Sequence, residues 1–178
     1  MRVIIESIES EYRRYKAPGE GAIGQLTDGQ LCAVSHSGSN SVAALVWHIS
    51  GNFKSRFTDF LTSDGEKPWR DRESEFTRRR VSRDEVLQKW NEGWEALLGA
   101  LAALDDRQLQ VAVKIRGRSL SVMEALLRSL AHASFHVGQI VFWARDLKGT
   151  TWQYLTIPPG QSESYNQNPF AERGPARA

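Results

Sequence analysis

Cysteine is nearly absent from this 178-residue chain. Cys32 stands alone, so no disulfide can close within it. A lone thiol suits a reducing compartment, and we expect a cytoplasmic protein in which Cys32 is structural. Long hydrophobic runs are missing as well. No stretch of about 18 uncharged apolar residues exists to span a bilayer. Glu6 follows Val3-Ile4-Ile5 where a secretion signal needs an apolar centre, so none is expected. One-sided charge is also lacking. With 23 Lys and Arg against 21 Asp and Glu, the formal charge is +2, too small to argue for nucleic acid or a membrane surface as partner. There is no internal repeat at solenoid periods. Histidine is scarce too, with four in the chain: His36, His48, His132 and His136.

What is present is helical patterning. Ile4, Ile5, Ile8, Tyr12 and Tyr15 recur at helical spacing from Val3, and Ala22, Ile23 and Leu26 keep it beyond Pro18. We therefore predict a first helix kinked at Pro18 and continuing to about Leu26, then a turn at Thr27–Leu31 and a loop over 34–40. Asn40 or Ser41 is the expected N-cap of a second helix reaching Leu61. Ser82 with Glu85, and Ser121 with Glu124, are capping-box pairs that open a third helix to about Leu104 and a fourth to about Leu147. A short hairpin around Arg116-Gly117 fits between them. Four long helical patterns predict an all-α four-helix bundle over residues 1–160, with a long connection between the second and third helices. Residues 161–178 read as an irregular polar tail, partly disordered.

The segment with the most chemistry is His132-Ala133-Ser134-Phe135-His136-Val137-Gly138-Gln139. Histidines four apart share one helix face, and two such imidazoles can chelate a single ion. A pair alone is weak evidence, because boundary histidines are common on helices. His48 strengthens it, lying in a separate amphipathic helix within a polar stripe that includes Asn52 and Arg56. We therefore expect a three-histidine metal site from His48, His132 and His136. Three protein ligands with an open position are typical of catalytic zinc, whereas structural zinc usually closes with four. Ala133 occupies the position of the zincin general base, so zincin chemistry is not supported. Glutamates of a di-iron bundle are also missing from the pattern.

Around the triad, Gln139 and Asn52 are candidates to orient a ligand or a bound water. Arg56 and Arg128 are candidates to meet an anionic ligand at the mouth. His36 falls in a polar loop and is read as exposed. The run from Ser63 to Arg80 mixes both signs of charge and reads as a solvated loop. The competing reading is a lid whose arginines clamp a ligand carboxylate, with Trp69 as its cover.

Asn40–Asn52, the segments Phe57-Thr58-Asp59-Phe60-Leu61 and Gly65-Glu66-Lys67-Pro68-Trp69-Arg70, and His132–Ile140 resemble the DinB-like (YfiT-like) superfamily of metalloenzymes, in one of its bacterial branches. The resemblance runs from about Ile4 to Pro159. It implies a four-helix bundle holding a divalent metal, nickel or zinc, on His48, His132 and His136, and commonly a homodimer. It also implies chemistry on a small-molecule substrate with a low-molecular-weight thiol as cosubstrate, as in mycothiol-dependent isomerases and bacillithiol S-transferases. A metal-activated hydrolase is the enzymatic alternative. A bundle with structural metal, or one with a stress-related binding role, is the non-catalytic one.

Overall fold

The structure, a computed structural model, describes residues 1–34 and 38–167. The predicted loop residue His36 and the last part of the predicted tail lie outside the described residues.

Helix α1 spans Val3–Gln25 and continues through Pro18. Proline inside a helix costs about 3 kcal/mol, because it removes a hydrogen bond and its ring crowds the preceding turn. Burial outweighs that cost. Ile5 and Ile8 before the proline and Ile23 after it all enter the core, at about 1.5–3 kcal/mol each. The predicted turn at Thr27–Leu31 is instead a short helix, α2, Asp28–Cys32. Thr27 and Gln30 form a reciprocal cap, each side chain accepting from the other's backbone amide. One turn is too short for a hydrophobic period to reveal it.

Helix α3, Val42–Phe57, starts at Ser41, whose hydroxyl accepts from Ala44 N. It stops short of the predicted Leu61. Asp59 adopts a left-handed backbone (φ 50°), and the amides of Thr62 and Ser63 turn back onto its carbonyl. Helix α4, Arg83–Ala102, and helix α5, Val122–Lys148, both begin with the capping boxes read from the sequence. Between them β1, Ala112–Ile115, and β2, Arg118–Ser121, form an antiparallel hairpin with Ala112 opposite Ser121. Its two turn residues, Arg116 and Gly117, both have positive φ, the geometry that matches strand twist in a two-residue loop. After α5, Gly149 at φ 52° stops the helix. Part of the predicted irregular tail is ordered as α6, Ser162–Gln167.

The four long helices contact in a ring: α1 touches α4 and α5, and α3 touches α4 and α5. Their shared core holds Tyr12, Phe53, Trp90 and Trp94, with Phe53 and Trp94 edge to face at 5.0 Å. Gly93 lets α4 approach α3 closely, since a methyl there would sit 2.6 Å from Ser50 Cα. No helix among the described residues is long and apolar enough to cross a membrane.

The connection from Thr58 to Ser82 is not a free loop. Asp64 accepts from the amides of Arg116 and Gly117, and Gly65 N donates to Lys114 O, so the connection docks on the hairpin. Ser55 and Arg56 on α3 both donate to the carbonyl of Gly65. Farther on, a 3-10 turn at Glu73–Phe76 lies against α3. The solvated-loop reading of 63–80 is therefore corrected: Lys67 and Glu75 are buried in it.

Candidate metal centre

His48 on α3 and His132 and His136 on α5 meet where the two helices touch. Their ligand atoms all lie within 4.8 Å of one another. His48 Nε2 is 3.1 Å from His132 Nε2, and His136 Nε2 is 3.2 Å from the same atom. Nitrogens bound about 2.0–2.1 Å from one tetrahedral zinc ion stand roughly 3.3–3.4 Å apart, so these spacings are close to those of a shared cation.

Hydrogen bonds at the far side of two of the rings fix which nitrogen carries the proton. His48 Nδ1 is 2.8 Å from Glu75 Oε2, so Nδ1 donates and Nε2 presents a lone pair. His136 Nδ1 is 2.8 Å from Gln139 Oε1, with the same consequence. Two lone pairs thus face His132 Nε2, while His132 Nδ1 is buried without a partner among the described residues. One proton on His132 Nε2 can satisfy only one of the two facing rings. A cation satisfies all three at once, so the donor set fits a metal ion. Burial, then the neighbouring His136 and His48 and the charges of Arg70 and Arg56, push His132 down to about 3. Burial also lowers His136, partly offset by Gln139. Both rings are therefore neutral near pH 7, the form that binds metal.

Glu75 and Arg70 were not among the sequence candidates. Glu75 sits in the 3-10 turn and is 5% exposed. Arg70 Nε donates to Glu75 Oε1 at 2.8 Å and its Nη2 to Oε2 at 2.9 Å, a two-point clamp. Burial alone would raise the Glu75 carboxyl, but hydrogen bonds from His48 and Arg70 and the Arg70 charge bring it below the usual carboxylate range. An arginine of the connection does clamp a carboxylate, and that carboxylate is the protein's own. Gly51 makes room for it: a methyl there would lie 2.1 Å from Glu75 Oε1. A glycine inside a helix, one turn beyond a candidate ligand, was the available sequence signal. Phe76 covers His48, its ring centre 4.7 Å away.

The other sequence candidates divide. Gln139 reaches His136. Asn52 is buried on α3, with no hydrogen bond to an imidazole among the described residues. Arg56 holds the Gly65 carbonyl and Glu66, which ties the connection to α3. Arg128 is exposed on α5, and no described hydrogen bond or ion pair joins it to the triad. Trp69 is 55% exposed and covers nothing at the centre.

Residues 2–161 match the family described as protein of unknown function, DUF1572. The chain belongs to that family. DUF1572 is grouped with the DinB/YfiT-like families. No curated protein and no solved structure matches the chain. Membership in DUF1572 assigns no reaction, so the chemistry rests on the geometry of the imidazoles and of the groups that hold them.

Proposed function

We propose that the protein is a DinB-like four-helix bundle and a divalent-metal-dependent enzyme that transfers a low-molecular-weight thiol to a small electrophile. The observation that carries this reading is the convergence of three imidazoles, two of them oriented by Glu75 and Gln139, with no carboxylate of the described residues among the candidate ligands. A nickel or zinc ion held by His48, His132 and His136 supplies Lewis acidity, which lowers the pKa of a bound thiol or water.

The protein's residues favour thiol over water. Hydrolysis usually calls on a general base beside the attacking water. The carboxylate that touches the triad is Glu75, and both its oxygens are engaged by Arg70 and His48 on the buried side. Thiol transfer needs less, because a thiol loses its proton more readily. Phe76 packs over His48 on the inner side, and the His136 and Gln139 side is left for the ligand. Three ligands, one of them at an exposed edge, also favour a working site over a purely structural one.

The dimer reading has support on α5. Leu127, Phe135 and Phe142 are 51%, 63% and 75% exposed and follow one another on a single face. Two copies of α5 packed antiparallel would place Leu127 against Phe142, Ala131 against Gly138 and Glu124 against Arg145. Sedimentation checks this, and a monomer at micromolar concentration removes it.

The enzymatic reading is tested with cobalt-substituted protein titrated with several low-molecular-weight thiols. A thiol-dependent change in the cobalt absorption bands is expected. Bands indifferent to every thiol, with cobalt bound stoichiometrically, would overturn the transferase reading. If chelation also abolishes folding, the metal is structural.

A further inference from the structure

Beyond the 3-10 turn the chain carries Arg78, Arg79 and Arg80 in succession. All three line one cleft of ≈ 650 Å³ together with Asp28 and Cys32. That volume falls within the about 300–1,000 Å³ of small-molecule sites. Neighbouring residues of an extended chain normally point to opposite sides. Here three consecutive arginines border the same space.

Arg79 is held in place. Its Nη2 donates to the carbonyls of Ser74 and Glu75 at 2.7 and 3.0 Å, and its guanidinium lies over the Trp47 ring at 4.4 Å. Its Nη1 is buried and has no hydrogen-bond partner among the described residues. A guanidinium nitrogen without an acceptor is costly to bury, so the Arg79 cation stands beside the cleft incompletely compensated. Arg78 and Arg80 are exposed, and neither forms an ion pair among the described residues. The carboxylate on the cleft wall, Asp28, accepts from Arg83 N at the start of α4. One carboxylate does not neutralise three arginines.

We propose that this cleft binds a small multivalent anion carrying phosphate or carboxylate groups. Arg79 is the fixed positive charge beside the cleft, and the exposed Arg78 and Arg80 supply the N–H groups that close on the ligand. Guanidinium groups suit such ligands because their N–H pairs match two oxygens of one group. Glu75 links the cleft to the triad, since its carbonyl holds Arg79 and its carboxylate holds His48. The site is nevertheless independent of metal.

Cys32 provides the test. It is the chain's one cysteine, so alkylation by neutral iodoacetamide, read by whole-protein mass, reports access to the cleft without background. The probes are inorganic phosphate and citrate at constant ionic strength. Saturable protection by either or both is expected, and the one that protects identifies the ligand group. The double variant Arg78→Gln/Arg80→Gln, at exposed positions, should raise the protecting concentration about tenfold, and Arg79→Gln at least as much. Arg14→Gln, the same charge change on α1, and His136→Ala, which removes a triad imidazole, should leave protection unchanged. No protection by either anion would overturn the proposal. So would equal protection in the double variant and the wild type.

Discussion

The inner and outer ends of the histidine triad are built differently. At the inner end His48 is 4% exposed, donates to a carboxylate, and that carboxylate is gripped at two points by a buried arginine. At the outer end His136 donates to the neutral amide of Gln139 one turn along its own helix, at an exposed position. A charged acceptor makes the ring a stronger ligand and costs more to bury. A neutral acceptor only sets the tautomer. The contrast separates a fixed wall suited to hold an ion from a more open edge beside Gln139.

The largest break comes from His48→Ala. It should abolish stoichiometric metal by elemental analysis while helix content by circular dichroism stays near wild type. Full occupancy in that variant would remove His48 from the ligand set. Glu75→Gln comes next. Metal affinity should fall about 10- to 100-fold, and the uncompensated Arg70 charge should cost about 3–5 kcal/mol in urea unfolding. Gly51→Ala sharpens the comparison. Alanine should favour α3 by about 1 kcal/mol, yet its methyl collides with Glu75. Metal affinity is expected to drop by roughly tenfold, toward that of the Glu75 variant. An unchanged affinity would mean that Glu75 does not act from this position. Gln139→Ala should be milder, a loss of a few fold, measured by the same competition with a chelator. If it matched Glu75→Gln, the two ends would be equivalent and the contrast would fail.

The smallest effect is on the metal-free protein. His132 titrates lower in the folded state than in the unfolded chain, so between about pH 6.5 and about 3 the unfolded chain binds the extra proton. Stability attributable to His132 is therefore present above about pH 6.5 and declines as pH falls through that window. Melting temperatures of the apoprotein at pH 7 and pH 5 check the sign, and bound metal should oppose the trend.

The three clustered histidines were legible in the sequence and their support was not. His132 and His136 lie four apart on a strongly patterned helix, and His48 stands alone in another, so periodicity alone placed them on faces that can meet. Both capping boxes fixed helix starts for a local reason that needs no tertiary context. Glu75 and Arg70 sit among charges of both signs with no period, where composition favours solvent. Only contact with Gly51 and His48 reveals them as interior. Pro18 weakened α1 on paper because local cost is visible in sequence and the compensating burial of Ile5, Ile8 and Ile23 is not. Asp59 ended α3 early through a backbone conformation that the apolar pattern running on to Leu61 concealed.

The strap from Thr58 to Ser82 therefore has a length that matters. It is stapled at the hairpin by Asp64 and Gly65 and must deliver Glu75 to an opening one glycine wide. Deleting a single residue between those anchors should leave the long helices and their imidazoles in place while drawing the Glu75 carboxylate away from His48. Anyone shortening this connection to tidy the scaffold would be retuning the histidine cluster it supports.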